Sequence, residues 1–448
     1  MARPVRRAGA FAGVGTLALA VPLLDEAAAA PFAAIAAIAA FTLHDGPVFD
    51  LFARPGEHRE QRLYGLIGFT LAATGLVLLS AVSAMDAWIP VGTIVLVAYG
   101  NLGVQLARQE TGDPVTRVVG FTVVGGLACA VAGAAALAVD GRAVEPMVAE
   151  LAFLGASGGL LGALLRTYLF ETDDAYVMLT VGLWLWLLST LTTDATLVWV
   201  GGALAVSAAL GYASYALETA SITGMLTGVT MALVTIVLGG IGWFVVLISF
   251  FGIGGLATKF RYDEKLERGI AEDDAGARST ANVLANGGVG FVALLAYAAT
   301  TAAGLGHPSL PAVVVPSLPF LFAFLGGFAT AMGDTLSSEV GGVFDGVRLI
   351  TTLQRVEPGT DGGITWQGEV AGLAGAGFVA LLSFALFEPV GATEAGIVLL
   401  AGFVGMTADS LLGATVEGGW LGNEAVNSLA TLSGAVFAAV AAVALGFA

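Results

Sequence analysis

Apolar residues run through this chain of 448 residues in long blocks, separated by short polar stretches. A block of about 17–24 apolar residues is long enough for a helix to cross the hydrocarbon core of a bilayer. The pattern therefore predicts an all-α, polytopic membrane protein with about 15 transmembrane helices. The predicted spans are 8–24, 27–43, 63–84, 88–107, 118–139, 147–169, 175–192, 195–216, 222–238, 241–257, 281–303, 313–335, 369–388, 395–413 and 425–447.

Nearly all of the basic residues lie on one side of the membrane in this arrangement of spans. If the N-terminus is cytoplasmic, every Lys and Arg except Arg142 lies in or beside a cytoplasmic loop. Cytoplasmic loops of membrane proteins carry an excess of Lys and Arg. We therefore expect a multi-pass protein of the cell membrane whose N-terminus lies in the cytoplasm.

Composition narrows the class further. Hydrophobic residues make up 57% of the chain and charged residues 11%, which is typical of a membrane protein and not of a soluble domain. The only cysteine is Cys129 and there are three scattered histidines, so disulfides and thiolate or histidine metal sites are excluded. The net charge of −17 resembles that of proteins from salt-accumulating halophilic archaea, and it gives no reason to expect a nucleic-acid partner.

The chain divides into two predicted transmembrane domains, 1–194 and 195–448. Segment 99–101 of the first domain, Tyr-Gly-Asn, is similar to segment 332–334 of the second, Met-Gly-Asp. Segment 154–163 is similar to segment 404–414 in the same way, and both copies in the first domain lack the aspartate. The pattern indicates two degenerate repeats, with the first as a scaffold and the second as the catalytic domain.

Acidic residues end two apolar spans of the second domain. Asp334 closes the span 313–335 and Glu339 follows it, while Asp409 occupies a second copy of the same Gly-Phe…Asp-[Ser/Thr]-Leu pattern. An acid at membrane depth is costly unless a cation or a hydrogen bond compensates it, so such acids are functional candidates. One interpretation is that they form two halves of one site. The other is that they cap helices or bind each other across the bundle.

More polar residues lie near the same predicted surface. Cations there would hold phosphate or anchor the helices, and paired amides would line a cavity or bind a neighbouring helix. The glycine-rich loop 358–363 would let backbone amides approach a phosphate, or it would be a plain turn; it is not a Walker A motif. The residues singled out are Lys259, Asn286, Arg348, Arg355, Asp361 and Asn427.

Carboxylate and hydroxyl oxygens are the ligands that Mg²⁺ prefers, and Mg²⁺ commonly bridges substrate phosphates as well. We therefore predict metal-assisted phosphoryl transfer, which needs positioning and charge neutralisation more than a covalent nucleophile. In this prediction Asp334 and Asp409 hold Mg²⁺, and Glu339 is a third ligand or supports the other two. A lipid-embedded groove would receive the substrate's tail.

Several motifs occur in order over about 205–447: ATKF, ANVLANGG, GDTLSSEVG, RLITTLQRVEPGTDGG, and ADSLLGAT followed by Asn427. This series resembles the phytyl-phosphate kinase family of integral membrane proteins. That family is similar in its Gly-Asp-Thr segment to dolichol kinases and, more remotely, to phosphatidate cytidylyltransferases. The resemblance implies that a nucleoside triphosphate, with CTP favoured, phosphorylates an isoprenyl monophosphate to the diphosphate with Mg²⁺.

The resemblance also implies roles for single residues. Asp334, Glu339 and Asp409 fall on the family's acidic positions. Its other polar positions fall on Lys259, Asn286, Arg348, Asp361 and Asn427. The family's lysine after Ile-Thr-Thr is replaced here by Gln354-Arg355. Two alternatives stay open: a CTP-dependent cytidylyltransferase acting on a lipid phosphate, and a secondary transporter with duplicated halves.

Overall fold

The protein is helical throughout the part that the computed structural model describes, residues 3–192, 195–269, 278–304 and 315–447. Within these residues, fourteen helical segments are long and apolar enough to cross a bilayer. A single short hairpin of two-residue strands is the only sheet among them. The predicted class, an all-α polytopic membrane protein, is confirmed.

The span count differs from the prediction at the N-terminus. The predicted spans 8–24 and 27–43 correspond to one segment, Pro4–Phe41. Its two longer helices, Arg3–Thr16 and Ala29–Phe41, are each shorter than the roughly 20 residues that a straight crossing needs. Short 3₁₀ turns interrupt the segment, and Asp25 adopts a left-handed φ of 47°. The polar pair Asp25-Glu26 therefore marks a break in a helical segment and not a loop between two complete spans.

The chain forms two compact units, Met1–Val206 and Ser207–Ala448. This boundary lies inside the helix Leu197–Ala216, about twelve residues further along the chain than the predicted one at 194. The helices of the first unit are α1 (Arg3–Thr16), α2 (Val21–Leu24), α3 (Ala29–Phe41), α4 (Gly46–Phe52), α5 (Glu57–Glu60), α6 (Tyr64–Val82), α7 (Trp88–Glu110), α8 (Pro114–Val139), α9 (Val148–Tyr168) and α10 (Asp174–Leu191), and α11 (Leu197–Ala216) carries the boundary.

The second unit contains the remaining helices and the hairpin. They are α12 (Ile222–Val234), α13 (Ile241–Thr258), α14 (Tyr262–Glu267), α15 (Thr280–Gly304), α16 (Leu318–Gly341), β1 (Arg348–Leu349), β2 (Gly363–Ile364), α17 (Trp366–Leu386), α18 (Ala392–Val416) and α19 (Asn423–Ala444). The strands pair antiparallel, with Arg348 opposite Ile364. A π-turn, Thr235–Gly239, extends α12 to Gly240, whose φ of 89° starts the reversal into α13.

Helix α16 is the centre of the second unit. It packs against α13, α15, α17, α18 and α19. Its residues from Phe324 to Gly333 are buried without interruption, so no face of this stretch meets lipid. Phe324 packs on Trp243 with ring centroids 4.4 Å apart and on Phe328 at 4.8 Å, which joins α16 to α13 through aromatic contacts.

Two exposed tryptophans flank the hairpin end of this unit. Trp366, the first residue of α17, is 73% exposed, and Trp420, in the turn after α18, is 92% exposed. Tryptophan is enriched at the boundary between the hydrocarbon core and water. These two side chains therefore mark the level at which α18 ends and α17 begins.

Candidate functional site

Helices α16 and α18 approach closely just before their acidic residues. The hydroxyl oxygen of Thr330 on α16 is 2.9 Å from the carbonyl oxygen of Gly326 and 3.2 Å from that of Ala401 on α18. A Cβ atom on Gly405 would overlap the Thr330 side chain, and one on Gly402 would lie 3.0 Å from the carbonyl oxygen of Ala329. Glycine at these positions permits the approach, as in other closely packed membrane helices.

This contact carries a testable prediction. We expect Gly405→Ala to destabilise the protein by about 1–3 kcal/mol, because the new methyl group must push Thr330 and its helix away. Thermal unfolding of the purified protein in detergent would measure the change. Gly396→Ala on the same helix is the matched control, since a Cβ there meets no atom within 4 Å. Adding Thr330→Ala to Gly405→Ala should recover part of the loss; no recovery would contradict the proposed clash.

The two predicted aspartates are brought together. Asp334 and Asp409 each lie about two helical turns before the last residue of their helices, Gly341 and Val416. Their carboxyl groups are in contact, close enough for one to hydrogen bond to the other. Two ionised carboxylates in contact repel each other, so this pair needs a shared proton or a bound cation.

The donor atoms around the pair suit a hard cation in part. Oδ1 of Asp409 is buried and has no hydrogen-bond partner among the described residues, so one carboxylate oxygen is available. Mg²⁺ is commonly held by one or two carboxylates, with water and substrate phosphates completing its shell. Across the described residues, however, no group of three or more His, Cys, Asp or Glu side chains is placed to hold a metal ion. Two of the three predicted ligand acids are thus brought into contact, and the third is not part of such a cluster.

That third acid, Glu339, has another partner. Its carboxylate forms an ion pair with the ammonium group of Lys265, which is 3% exposed and also donates to the carbonyl oxygens of Ala257 and Thr258 at 3.2 Å. Glu339 therefore ties α16 to the C-terminal end of α13. From the sequence, Lys265 was one of several cations that would hold phosphate or anchor the helices, because nothing local shows that its side chain turns inward.

The glycine-rich loop lies against the acid helix α18. The Cα of Gly362, at φ 73°, packs so closely on α18 that an added Cβ would lie 2.5 Å from the carbonyl oxygen of Ser410, the residue after Asp409. The backbone amide of Ile350 donates to the carbonyl oxygen of Gly362 at 3.0 Å, which fixes the loop to the hairpin. The predicted loop 358–363 therefore lies beside the aspartate pair, although Asp361 itself is exposed.

Several acidic side chains lie near the same end of α18. Glu417 follows the last residue of α18, and burial, with the carboxylates of Asp361, Asp409 and Glu424, raises its pKa above the ordinary value. Neighbouring anions favour the protonated form of a carboxyl group, and a bound cation would favour the ionised form. Glu417 thus extends the negative field of the aspartate pair toward the hairpin, a role that sequence reasoning did not assign.

A cation lies near Thr335, the residue that follows Asp334. The guanidinium group of Arg278 stacks over Phe250 at 5.0 Å and Phe251 at 5.5 Å from the ring centroids. It passes so close to Gly254 of α13 that a Cβ there would overlap it, and the same Cβ would lie 3.5 Å from the methyl carbon of Thr335. Arg278 therefore lies beside the residue that follows Asp334. From the sequence, Arg278 was one of the cations that would hold phosphate or anchor the helices, and its position near Thr335 was not predicted.

A largely apolar cavity of about 350 Å³ opens in the second unit next to this cation. Arg278 and Lys259 line it together with the side chains of α11, α12 and α13, mainly Leu210, Met225, Val229, Leu247, Ile248 and Phe251. Lys259 is exposed at the end of α13. The cavity thus combines an apolar body with two cations, which suits an apolar molecule that carries a phosphate.

The remaining predicted residues are spread around the aspartates. Arg348 and Arg355 are exposed and face each other across an isolated bridge, and Nη1 of Arg348 donates to the carbonyl oxygen of Leu353 at 2.7 Å. Asn286 is buried and donates to the carbonyl oxygen of Asn282 at 3.1 Å.

Asn427 is half-buried on α19, where its backbone carbonyl accepts from Thr431 at 2.9 Å, and the Thr431 hydroxyl is also 3.4 Å from the carbonyl oxygen of Ala285 on α15. Asn286 and Asn427 therefore both lie near the contact between α15 and α19. In the described residues, no hydrogen bond or ion pair joins Asn286, Asn427, Arg348 or Arg355 to the aspartates.

Most of the second unit is similar in sequence to known proteins. Residues 205–435 match the model of the family described as integral membrane protein DUF92. An uncharacterised membrane protein of Methanocaldococcus jannaschii is 34% identical over 216 residues, which cover 48% of this chain and 82% of the relative. Protein PGR of Arabidopsis thaliana is 30% identical over 48% of this chain and 78% of its own length.

A further relative is the Arabidopsis thaliana protein VTE6, chloroplastic, which is 27% identical over 44% of this chain and 58% of its own length. No solved structure matches the chain at a significant level. The family match covers the aspartate pair, the hairpin and the apolar cavity, and it confirms the family that the ordered motifs indicated. This chain belongs to the DUF92 family of integral membrane proteins.

Proposed function

We propose that this protein is a membrane-embedded isoprenyl-phosphate kinase that converts an isoprenyl monophosphate, of the phytyl or geranylgeranyl type, to the diphosphate. The observation that carries the proposal is the contact between Asp334 and Asp409, with Arg278 packed on α13 near Thr335, at the wall of an apolar cavity. An acid pair suits a divalent cation and its polyphosphate, while the cavity suits the apolar tail of the acceptor.

In the proposed reaction an oxygen of the acceptor phosphate bonds to the terminal phosphorus of a nucleoside triphosphate, with CTP favoured. The bond from that phosphorus to the bridging oxygen breaks, and the nucleoside diphosphate leaves. Bound Mg²⁺ would neutralise the charge that develops on the phosphate oxygens. The acceptor is already ionised, so no general base is required.

The chain's own residues would do the positioning. Asp334 and Asp409 would hold the cation at the ends of two helices whose spacing is set by Thr330 and Gly405. Arg278 and Lys259, at the cavity wall, would bind the acceptor phosphate, since both can donate to phosphate oxygens. The loop 358–363, packed on α18, would offer backbone amides to the nucleotide phosphates.

The location of the acids favours this proposal over a transporter. Transporter sites lie near the bilayer midplane. Asp334 and Asp409 lie on the C-terminal side of the centres of α16 and α18, which are 24 and 25 residues long, displaced from those centres by about 7 Å along each helix.

The decisive assay uses the purified full-length chain with Mg²⁺, CTP or ATP, and phytyl or geranylgeranyl monophosphate. Phosphorylation of the acceptor with release of the nucleoside diphosphate is the expected result. Release of pyrophosphate with formation of a CDP-lipid would support a cytidylyltransferase instead, and no turnover of either lipid would reject the kinase.

The cavity gives a second, independent prediction. Gly228 lines it, and a Cβ there would meet no atom within 4 Å, so Gly228→Phe would place its ring in open space inside the cavity. We expect the KM for phytyl monophosphate to rise about tenfold or more, with little change for dimethylallyl monophosphate, whose tail is too short to reach the ring.

Gly201→Phe is the matched control for this change. Gly201 is exposed on α11, has open space around its Cβ position and does not line the cavity. Equal loss of activity toward long and short acceptors in Gly228→Phe would show that the cavity does not hold the tail.

A further inference from the structure

The first unit contains a polar cavity of about 160 Å³, outside the region that matches the family. Four arginines line it, Arg7 from α1, Arg54 from the segment after α4, Arg108 from α7 and Arg166 from α9. Glu171 is the one acid in the lining. Four cations that converge from separate elements on one small cavity are an arrangement that like-charge repulsion opposes unless anions compensate it.

Two acids, Asp174 and Glu171, form ion pairs with these arginines. Asp174 is fully buried and forms ion pairs with Arg54 at 3.0 Å and with Arg166, and it accepts a hydrogen bond from Nδ2 of Asn101 at 2.8 Å. These contacts fix the two buried arginines, whose side chains are 9% and 11% exposed. The segment 99–101, similar in sequence to the Asp334 region, thus supplies an amide that supports an acid.

Glu171 bridges the other two arginines. Its carboxylate lies 3.0 Å from Arg7 and 3.0 Å from Arg108, with Nε of Arg54 at 3.9 Å. A further acid, Glu57, is already engaged, since it accepts from the backbone amides of Arg54 at 2.8 Å and Gly65 at 2.6 Å. Glu171, the one carboxylate in the lining, is therefore shared among Arg7, Arg108 and, at 3.9 Å, Arg54.

The buried cations are incompletely satisfied. Nε of Arg54 and Nε of Arg166 are buried and have no hydrogen-bond acceptor among the described residues. Burial lowers the pKa of Arg54 from its ordinary value, against the opposing effect of Glu57, Glu171 and Asp173. A buried guanidinium group with an N–H that lacks an acceptor is stabilised by a further anion.

We propose that this cavity binds a phosphate-type anion: inorganic phosphate, diphosphate, or the phosphate group of a membrane lipid. Arginine forks match phosphate oxygens in geometry, and several of them converge here. The cavity is about half the size of the smallest common pockets for drug-sized ligands, ~300 Å³, so it suits a phosphate group and excludes a whole nucleotide. The first unit then holds an anion site where the second holds an acid pair.

The test uses the full-length protein in detergent with EDTA present, so that the acid pair of the second unit has no divalent cation. Calorimetric titration with inorganic phosphate and with pyrophosphate should detect binding. The double variant Arg7→Gln/Arg108→Gln should weaken it about tenfold or more, while Arg59→Gln/Arg62→Gln, which removes two exposed charges from the same unit, should change it less than twofold.

A third variant gives a change of opposite sign. Glu171→Gln removes the carboxylate that competes for Arg7 and Arg108, so anion affinity should rise several-fold even if the melting temperature falls. A purely structural ion-pair network has no such response. Weaker binding in Glu171→Gln, or no effect of the arginine double variant while it stays folded, would overturn the proposal.

The source of the phosphate is distinguished by reconstitution. In nanodiscs of phosphatidylcholine with phosphatidate, a lipid-headgroup site should retain phosphatidate in native mass spectra, and Arg7→Gln/Arg108→Gln should lose it. A site for free phosphate should bind pyrophosphate equally well with and without phosphatidate. Absence of both kinds of binding in the wild-type protein would reject the site.

Discussion

Asp334→Asn is expected to lower kcat/KM for isoprenyl-phosphate phosphorylation by at least about 100-fold, because it removes one of the two carboxylates proposed to hold the cation. Asp409→Asn should have a similar effect, and the double variant should be little worse, since the two residues act as one unit. Titration of activity with Mg²⁺ would show the loss of metal dependence directly.

The same substitution should not lower the stability of the folded protein. Neutralising one member of an acid pair removes repulsion, so the melting temperature of Asp334→Asn without Mg²⁺ should equal or exceed that of the wild type. Asp345→Asn is the matched control: its side chain is 91% exposed in the loop after α16, and activity should be unchanged. Full activity of a folded Asp334→Asn protein would reject the site.

The buried pair of Lys265 and Glu339 gives the second large effect. Lys265→Met should destabilise the protein by about 3–5 kcal/mol, because it leaves the Glu339 carboxylate, only 11% exposed, without its cation. Lys265→Met/Glu339→Gln should recover much of that loss, since neither remaining group is charged. Thermal unfolding in detergent would measure both.

Two comparisons sharpen this experiment. Arg261→Met breaks the exposed pair with Glu264, whose partners are 43% and 39% exposed, and should cost no more than about 1 kcal/mol. Activity of the folded double variant then separates two roles for Glu339. If Glu339 is a metal ligand, the double variant is inactive at every Mg²⁺ concentration; if it only anchors α14 to α16, activity and Mg²⁺ dependence are retained.

Hydropathy was sufficient to predict the class of fold and most of the spans, because a bilayer imposes one length and one composition on every crossing helix. The contact between Asp334 and Asp409 followed from a repeated pattern, since two similar segments at the ends of similar helices are natural partners. At the N-terminus the two predicted spans form one helical segment broken at Asp25, because hydropathy does not show whether a polar pair inside an apolar block is a loop or a break within a helix.

Other parts of the site depend on tertiary contacts that no local pattern contains. From the sequence, Lys265 and Arg278 would hold phosphate or anchor the helices; in the structure one is buried against Glu339 and the other lies near Thr335. Their roles follow from the left-handed turn at Arg261, φ 47°, and from the packing of α13 on α16. In the first unit, Arg54 and Arg166 were likewise counted only for membrane orientation, because the buried Asp174 that gathers them is distant in sequence from Arg54.

The exposed tryptophans Trp366 and Trp420 bear on how a substrate would arrive. They stand at the end of α18 and the start of α17, about two turns beyond Asp409. If their rings rest among the lipid headgroups, the acids lie about 10 Å deeper than that level, within the same leaflet. An isoprenyl phosphate would then reach the enzyme by lateral diffusion within one leaflet, and its product would return to the same leaflet without ever being extracted into water.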